Sequence, residues 1–194
     1  MVLSRRRLLL TLSTVLLGGR AGLRAGQTGL DRFATAGPPC DIDPRATPLL
    51  EADGTFREGA PARMTLGTGG SPLDLRGTVA GLSCGRVAGA RVDLWQADAA
   101  GVVDPAGFRF RGYQRTGADG GFRFQTVVPG AARGRAPHLS IRVRVDGTAD
   151  AQTELFLPGD PRNATDPRFR PELLLRVVEE GGRRSASFDI LLDI

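Results

Sequence analysis

The side chains with the clearest chemical potential stand in one short stretch of alternating polar and apolar residues. His138 is the only histidine of the chain, and it opens residues 138–145, which read HLSIRVRV. Because successive side chains of a strand point to opposite faces, His138, Ser140, Arg142 and Arg144 are predicted to share one polar face. An imidazole beside a hydroxyl and two guanidinium groups favours binding of either a metal or an anionic ligand.

Few other residues could complete a metal site with His138. Tyr113 is the only tyrosine, and the sequence places it within a strand, where a role in packing is favoured over a role as a metal ligand. Asp104 and Glu154 supply hard oxygen donors, so a histidine with two carboxylates is one hypothesis for a loosely bound divalent metal. That hypothesis requires the three residues to converge, which their spacing does not establish.

The elements that must position these residues are short strands. Alternating or apolar patterns predict strands within residues 73–79, 90–95, 108–111, 122–124, 139–145, 154–157, 173–178 and 187–191. Turn-forming Gly, Pro and Asp residues separate them, and no long amphipathic helix is evident. The pattern predicts an all-β fold, an antiparallel β-sandwich of about eight short strands, over residues 71–194. Residues 27–70, rich in Pro, Gly, Asp and Thr, are predicted to form an irregular N-terminal arm. Trp95 is expected to pack in the core of the sandwich.

Residues 1–26 have the features of an export signal. Arginines at positions 5–7 precede an apolar stretch, residues 8–17, which is too short for a stable membrane span. Paired arginines before such a stretch are typical of a twin-arginine signal, and an ordinary secretory signal with additional arginine is the alternative. We therefore expect a periplasmic or extracellular protein that has no stable membrane span after the signal is cleaved.

Export also makes a disulfide available. Cys40 and Cys84 are the only two cysteines, and an exporting compartment permits their pairing. Closing this loop would stabilise the fold by roughly 4 kcal/mol through the entropy of the unfolded chain. Two buried free thiols are the alternative, and the spacing does not fit a zinc site.

The composition excludes one class of partner. The 194-residue chain has a formal net charge of +5, and all 26 basic residues are arginine. These arginines are scattered along the sequence, and no nucleic-acid-binding motif accompanies them. We therefore expect no nucleic-acid partner.

Several ordered motifs resemble the intradiol ring-cleavage dioxygenases, a family that includes protocatechuate 3,4-dioxygenase and catechol 1,2-dioxygenase. They are residues 90–98 (ARVDLWQAD), 111–120 (RGYQRTGADG), 122–130 (FRFQTVVPG), 134–138 (GRAPH) and 155–160 (LFLPGD), preceded by residues 47–48 (TP) and 54–56 (GTF). The resemblance covers roughly residues 40–160 and implies the β-sandwich fold and a non-haem Fe(III) cofactor. In the family, two tyrosinates and two histidines hold the iron, while an Arg and a Gln near the substrate ring stabilise developing charge.

The chain departs from the family's pattern at most of these positions. Val103 and Ala132 stand where the resemblance places the two tyrosines, and Ser140 stands in place of the second histidine. His138 is the one iron ligand that is retained. Arg135 matches the family's arginine, which would be catalytic if the protein is active, whereas Glu154 replaces the glutamine on the substrate side.

The resemblance and its departures favour a family member without catalytic activity, which does not bind iron and acts as a ligand-binding or structural subunit. The α subunit of protocatechuate dioxygenase, which keeps the fold without the iron ligands, is the precedent that the resemblance supplies. A small aromatic acid is the expected ligand, with Arg135, Arg142 and Arg144 available for its carboxylate; a homo-oligomer or a paralogous subunit is the expected assembly. The alternatives are an active catechol-type dioxygenase with a remade iron site and a carbohydrate-binding sandwich, although the chain has few aromatic residues for a sugar platform.

Overall fold

The computed structural model describes residues 46–52, 54–83, 85–148 and 150–194. Eight strands follow one another in these residues, with two short 3-10 helices before the seventh. The strands are β1 (Pro72–Gly81), β2 (Arg91–Gln96), β3 (Arg111–Arg115), β4 (Gly121–Val127), β5 (His138–Arg144), β6 (Ala151–Phe156), β7 (Arg176–Glu180) and β8 (Arg183–Leu192). The 3-10 helices are Pro161–Ala164 and Pro171–Leu173.

The strands form two four-stranded sheets, in the orders β4-β1-β8-β7 and β3-β2-β5-β6. All neighbouring pairs are antiparallel except β1 with β8, which run parallel. The apolar members of the alternating patterns are buried in one core; Leu75, Phe124, Ile141 and Leu155 have no exposed surface. The predicted all-β sandwich is therefore confirmed, and the parallel pair is the detail that the alternation did not reveal.

Two of the predicted strands begin later than the apolar pattern suggested. Residues 108–110 are not a strand, because Phe110 has a φ of 53° and turns the chain immediately before β3. The ring of Phe110 packs so closely on the backbone of Gly67 that a Cβ there would lie 2.5 Å from Cε1 of the ring. Residues 173–175 belong to a 3-10 helix and its exit, so β7 begins only at Arg176.

The register of the second sheet brings one residue from each strand into a row on its outer face. Trp95 of β2 lies between Arg111 of β3 and Ser140 of β5, and Ser140 in turn pairs with Glu154 of β6. The period of two predicted for residues 138–145 is present, since Leu139, Ile141 and Val143 are in the core. Trp95 is buried, but it lies in this outer row and outside the core cluster.

Several expectations concern residues outside the described ones. The export signal at residues 1–26 and both candidate disulfide residues, Cys40 and Cys84, are of this kind and stay predictions. The described residues between 46 and 71 form no strand, and their β pairing is limited to isolated bridges from Ala62 to Tyr113 and from Thr65 to Gln125. No helix in the described part of the chain is long and apolar enough to cross a membrane.

Candidate functional site

A cavity of about 510 Å³ lies over the outer row, and three residues of that row, Arg111, Trp95 and Ser140, line it. Val103, Ala132, His138 and Ser140, the four positions singled out for metal binding by resemblance, all line it. Trp95, Phe56 and Pro105 add apolar wall, and Arg57, Arg111, Arg133 and Arg135 add guanidinium groups. The structure therefore brings the site positions together although they come from three separate segments of the chain.

Two glycines fix the loops that carry Val103 and Ala132. Gly101 has a φ of 83°, and a Cβ on it would lie 2.1 Å from the carbonyl oxygen of Ala131. A Cβ on Gly130 would lie 2.5 Å from the backbone nitrogen of Gly101. The two loops consequently touch backbone to backbone, which only glycine permits, and this contact sets the positions of Val103 and Ala132 in the wall.

The imidazole of His138 is held in a defined orientation. Its Nδ1 lies 2.7 Å from the carbonyl oxygen of Ala136, and its ring centroid is 5.8 Å from that of Phe156. Because a carbonyl oxygen can only accept, Nδ1 is the donor in this hydrogen bond. In the neutral ring, Nε2 is then the nitrogen that can accept a hydrogen bond or bind a metal.

The donors around the cavity do not fit ferric iron. A hard trivalent ion requires anionic oxygen ligands, whereas Val103 and Ala132 offer hydrocarbon and Ser140 offers a neutral hydroxyl that is 2% exposed. His138 alone remains of the set that the resemblance implies. The side chains present therefore do not match the ferric ligand set that the resemblance implies.

The other oxygen donors suggested by the sequence do not complete a set of metal ligands around His138. Backbone N–H groups, first that of Gly107 and then those of Arg109 and Ala106, lower the pKa of Asp104 to about 2, so its oxygens are engaged in its own loop. The guanidinium of Arg91 lies over the Tyr113 ring, with its Cζ 3.7 Å from the ring centroid, and Tyr113 does not line the cavity. Within the described residues, no group of three His, Cys, Asp or Glu side chains could hold a metal. The hypothesis that joined His138, Asp104 and Glu154 is therefore wrong.

Glu154 and Arg135 belong to a buried ion network. Glu154 has no exposed surface; its Oε2 accepts from Arg135 at 2.5 Å and its Oε1 from Arg168 at 2.7 Å. Arg135 also donates from Nε to Asp166 at 2.8 Å. A buried carboxylate requires such partners, and Glu154 finds them behind the cavity wall. The expectation that Glu154 faces a substrate is therefore wrong, although Arg135 itself lines the cavity.

Hydrogen bonds in this network shift the pKa values of Asp166 and Arg135 in the directions that favour their charged forms. Burial raises the pKa of Asp166, but hydrogen bonds from Arg135 and from the backbone N–H groups of Arg168 and Ala136 outweigh it, so that the pKa lies below its usual value. Burial likewise lowers the pKa of Arg135, and the carboxylates of Asp166 and Glu154 reverse this and raise it. The pair formed by Asp166 and Arg135 is thus held in its charged form beside the cavity.

Arg142 and Arg144 share the face of His138 as predicted, but they do not reach the cavity. Arg144 pairs with Glu58 and with the buried Asp93, each at 3.1 Å. Arg142 pairs with Glu58 and Asp150, and its guanidinium lies 4.2 Å from the ring centroid of Phe56. The two arginines therefore fasten residues 56–58 to the sheet, and the expectation that they meet a ligand carboxylate is wrong.

Sequence reasoning missed the residues that shape the cavity mouth. Phe56 packs edge-to-face on Trp95 at a centroid distance of 5.2 Å, and Trp95 Nε1 donates to Thr55 Oγ1 at 2.7 Å. Trp95 is 4% exposed, which is unsuited to a flat sugar platform. Arg133 is exposed, has a φ of 50°, and pairs with no carboxylate in the described part of the chain. Its position next to Gly134 was the only available signal.

Comparisons with known proteins find similar sequences and folds among dioxygenases. No protein-family model matches the chain. The structure of the dioxygenase domain of a dioxygenase–carbohydrate-binding protein fusion from Streptomyces sp. SirexAA-E is 40% identical, with a TM-score of 0.75 over 77% of this chain and 99% of that one. Catechol 1,2-dioxygenase 1 of Acinetobacter lwoffii is 28% identical over 84% of this chain. The 6-chlorohydroxyquinol 1,2-dioxygenase of Cupriavidus pinatubonensis (strain JMP 134 / LMG 1197) is 34% identical over 70% of this chain.

The fold and the cavity thus define a β-sandwich of the dioxygenase type. The chain belongs to the intradiol ring-cleavage dioxygenase family, which confirms the resemblance seen in its motifs. It spans 65% and 60% of the two enzymes from Acinetobacter and Cupriavidus, respectively. Family membership assigns ancestry and fold, and the activity of this chain has to be argued from its own site.

Proposed function

We propose that this chain is an exported, non-catalytic member of its family that binds a small aromatic carboxylate in the cavity. One observation carries the proposal: the four ligand positions implied by the resemblance converge on the cavity, and three of them are Val103, Ala132 and Ser140. Without phenolate donors the cavity offers iron a single imidazole, yet it keeps the volume and wall of a small-molecule site.

The wall supports an aromatic ligand that carries a negative charge. A planar ring in the cavity would find apolar contacts with Trp95, Phe56, Val103 and Pro105. Arg133 lines the same cavity without a paired carboxylate in the described residues. The Nη1 group of Arg135 is likewise left over, because its hydrogen bonds to Asp166 and Glu154 use Nε and Nη2. A guanidinium donating to a carboxylate gives a stronger hydrogen bond than a neutral pair.

Titration calorimetry with benzoate and with benzyl alcohol tests this proposal. Benzoate is expected to bind at least about tenfold more tightly than benzyl alcohol, since each charge-assisted hydrogen bond contributes about 1.5–3 kcal/mol. Arg133→Gln is expected to weaken benzoate by about tenfold and to leave benzyl alcohol unchanged. The matched control is Arg170→Gln, because Arg170 is exposed, lies outside the cavity and donates only to nearby carbonyl groups.

Equal affinity for the two ligands would contradict an anion-binding cavity, and a benzoate affinity that Arg133→Gln leaves unchanged would contradict the role of Arg133 in it. Oxygen uptake with catechol would instead support the alternative function, an active catechol-type dioxygenase with a remade iron site. The same preparations serve for both measurements, so the two functions are separated in one experiment.

Export is tested with the signal itself. In a bacterial host with the twin-arginine pathway, replacing the arginines at positions 5–7 by lysine is expected to leave the chain in the cytoplasm, because that pathway requires the arginine pair. The control is Arg20→Lys, which makes the same exchange beyond the apolar stretch. Cell fractionation with immunoblotting gives the readout. Undiminished export of the lysine variant would identify an ordinary secretory signal.

A further inference from the structure

Strand β7 leaves one long side of its sheet open. It stands at the end of the order β4-β1-β8-β7, and β8 occupies its other side. In the described part of the chain, no strand pairs with this outer side. An open edge presents unpaired backbone N–H and C=O groups and is a template for another strand. We infer that a second copy of this chain pairs there, β7 against β7, antiparallel about a two-fold axis at Val178.

The two faces of β7 differ in what they carry. Arg176, Val178 and Glu180 point to the outer face, where Val178 is 64% exposed and Arg176 reaches Asp189 of β8 at 2.8 Å. Val177 points the other way and packs against the core. Any partner strand that extends the sheet must place its core side beside the core side of β7.

This requirement fixes which residues face each other. When two copies of one strand pair antiparallel about a two-fold axis, residues of the same face stand opposite each other only if the axis is level with a residue. If the axis falls between two residues, the core side of one strand adjoins the outer side of the other. An axis at Val177 would set Arg176 opposite Val178, and an axis at Glu179 would set that carboxylate opposite its own copy. An axis at Val178 sets Arg176 opposite Glu180 at both ends of the strand. Opposite charges across strands stabilise pairing, and like charges oppose it.

The residues of this register are available. Glu180 is exposed and makes no ion pair within the described residues, while Arg176 is 65% exposed and retains N–H groups beyond those bonded to Asp189 and Ser187. Val178 would cover its own symmetry copy at the axis. A contact of five residues per strand is small, so the association is expected to be concentration-dependent and reversible.

Sedimentation equilibrium of the purified chain over a range of concentrations tests the inference. The unmodified chain is expected to form dimers, and Glu180→Arg is expected to weaken self-association by at least about tenfold, because it sets two arginines opposite each other at both ends. Glu172→Arg makes the same charge change on an exposed residue outside the strand and is expected to dimerise like the unmodified chain.

A mixing experiment separates this register from any other contact. Arg176→Glu alone is expected to be monomeric, since it sets carboxylates opposite carboxylates. An equimolar mixture of the Glu180→Arg and Arg176→Glu chains restores every opposite-charge pair and is expected to recover a heterodimer. Thermal melting of each variant checks that it is folded.

Three results would overturn the inference. The unmodified chain could be monomeric at all concentrations. This result would also be obtained if another part of the same chain covered β7. The Glu180→Arg chain could dimerise as before, which would place the contact elsewhere. The mixture could fail to associate, which would exclude the register. None of these results depends on whether the cavity binds benzoate.

Discussion

The triple variant Val103→Tyr/Ala132→Tyr/Ser140→His is expected to bind ferric iron stoichiometrically and to become visibly coloured. It supplies the two phenolates and the second imidazole that the family's pattern implies, at positions that already converge on one cavity. The glycine contact between the two loops and the rigid strand β5 hold those positions. Iron analysis by plasma emission, together with the visible absorption spectrum, provides the measurement.

The matched control for this prediction is Val103→Phe/Ala132→Phe/Ser140→His. It adds the same rings to the cavity without the phenol oxygens, so it is expected to remain colourless. If the Val103→Tyr/Ala132→Tyr/Ser140→His variant folds but holds no iron, the replacement of these three side chains alone does not explain why the site lacks a metal. Colour in the phenylalanine control would show that phenolate donors are not what the site lacks.

The second large effect is expected on stability, at Glu154. Glu154→Ala removes the carboxylate that lies between Arg135 and Arg168 and is expected to lower the free energy of unfolding by about 3 kcal/mol. The lower end of the usual range applies because both guanidinium groups are partly exposed and solvent screens them. Denaturant unfolding followed by circular dichroism measures the change.

A double-mutant cycle tests whether this loss in stability comes from the arginine charges that Glu154→Ala leaves without their carboxylate. Arg168→Ala in the Glu154→Ala background is expected to cost less than Arg168→Ala alone, because its partner is already absent. Glu172→Ala, at an exposed position, is expected to change stability by no more than about 0.5 kcal/mol. Additive losses in the cycle, or a Glu154→Ala chain that unfolds like the original, would contradict a stabilising network.

The positions singled out by the resemblance lie together in the structure, since Val103, Ala132, His138 and Ser140 all line the cavity. The period of two in residues 138–145 correctly separated the core side chains from His138 and Ser140. The order of the family motifs located Val103 and Ala132 in the same cavity, although they lie in loops without any periodic pattern. One of the two glycines that bring those loops into contact, Gly130, is itself the last residue of the motif at residues 122–130.

The charge partners could not be predicted in the same way. Glu154 and Arg135 depend on Asp166 and Arg168, which lie beyond the residues covered by the resemblance. Arg142 and Arg144 are neutralised partly by Glu58, in a segment without periodicity. Long-range ion pairs leave no local signal in a sequence. The positive φ of Arg133 leaves none either, because such a conformation is uncommon for a residue other than glycine.

The iron content of the unmodified chain, purified from iron-supplemented medium, shows whether its cavity still forms a ferric site. With hydrocarbon side chains at two wall positions and a hydroxyl at a third, the preparation is predicted to hold only trace metal and to show no charge-transfer absorption in the visible range. A stoichiometric ferric ion with such a band would contradict the loss of the metal site and return the chain to the active enzymes of its family.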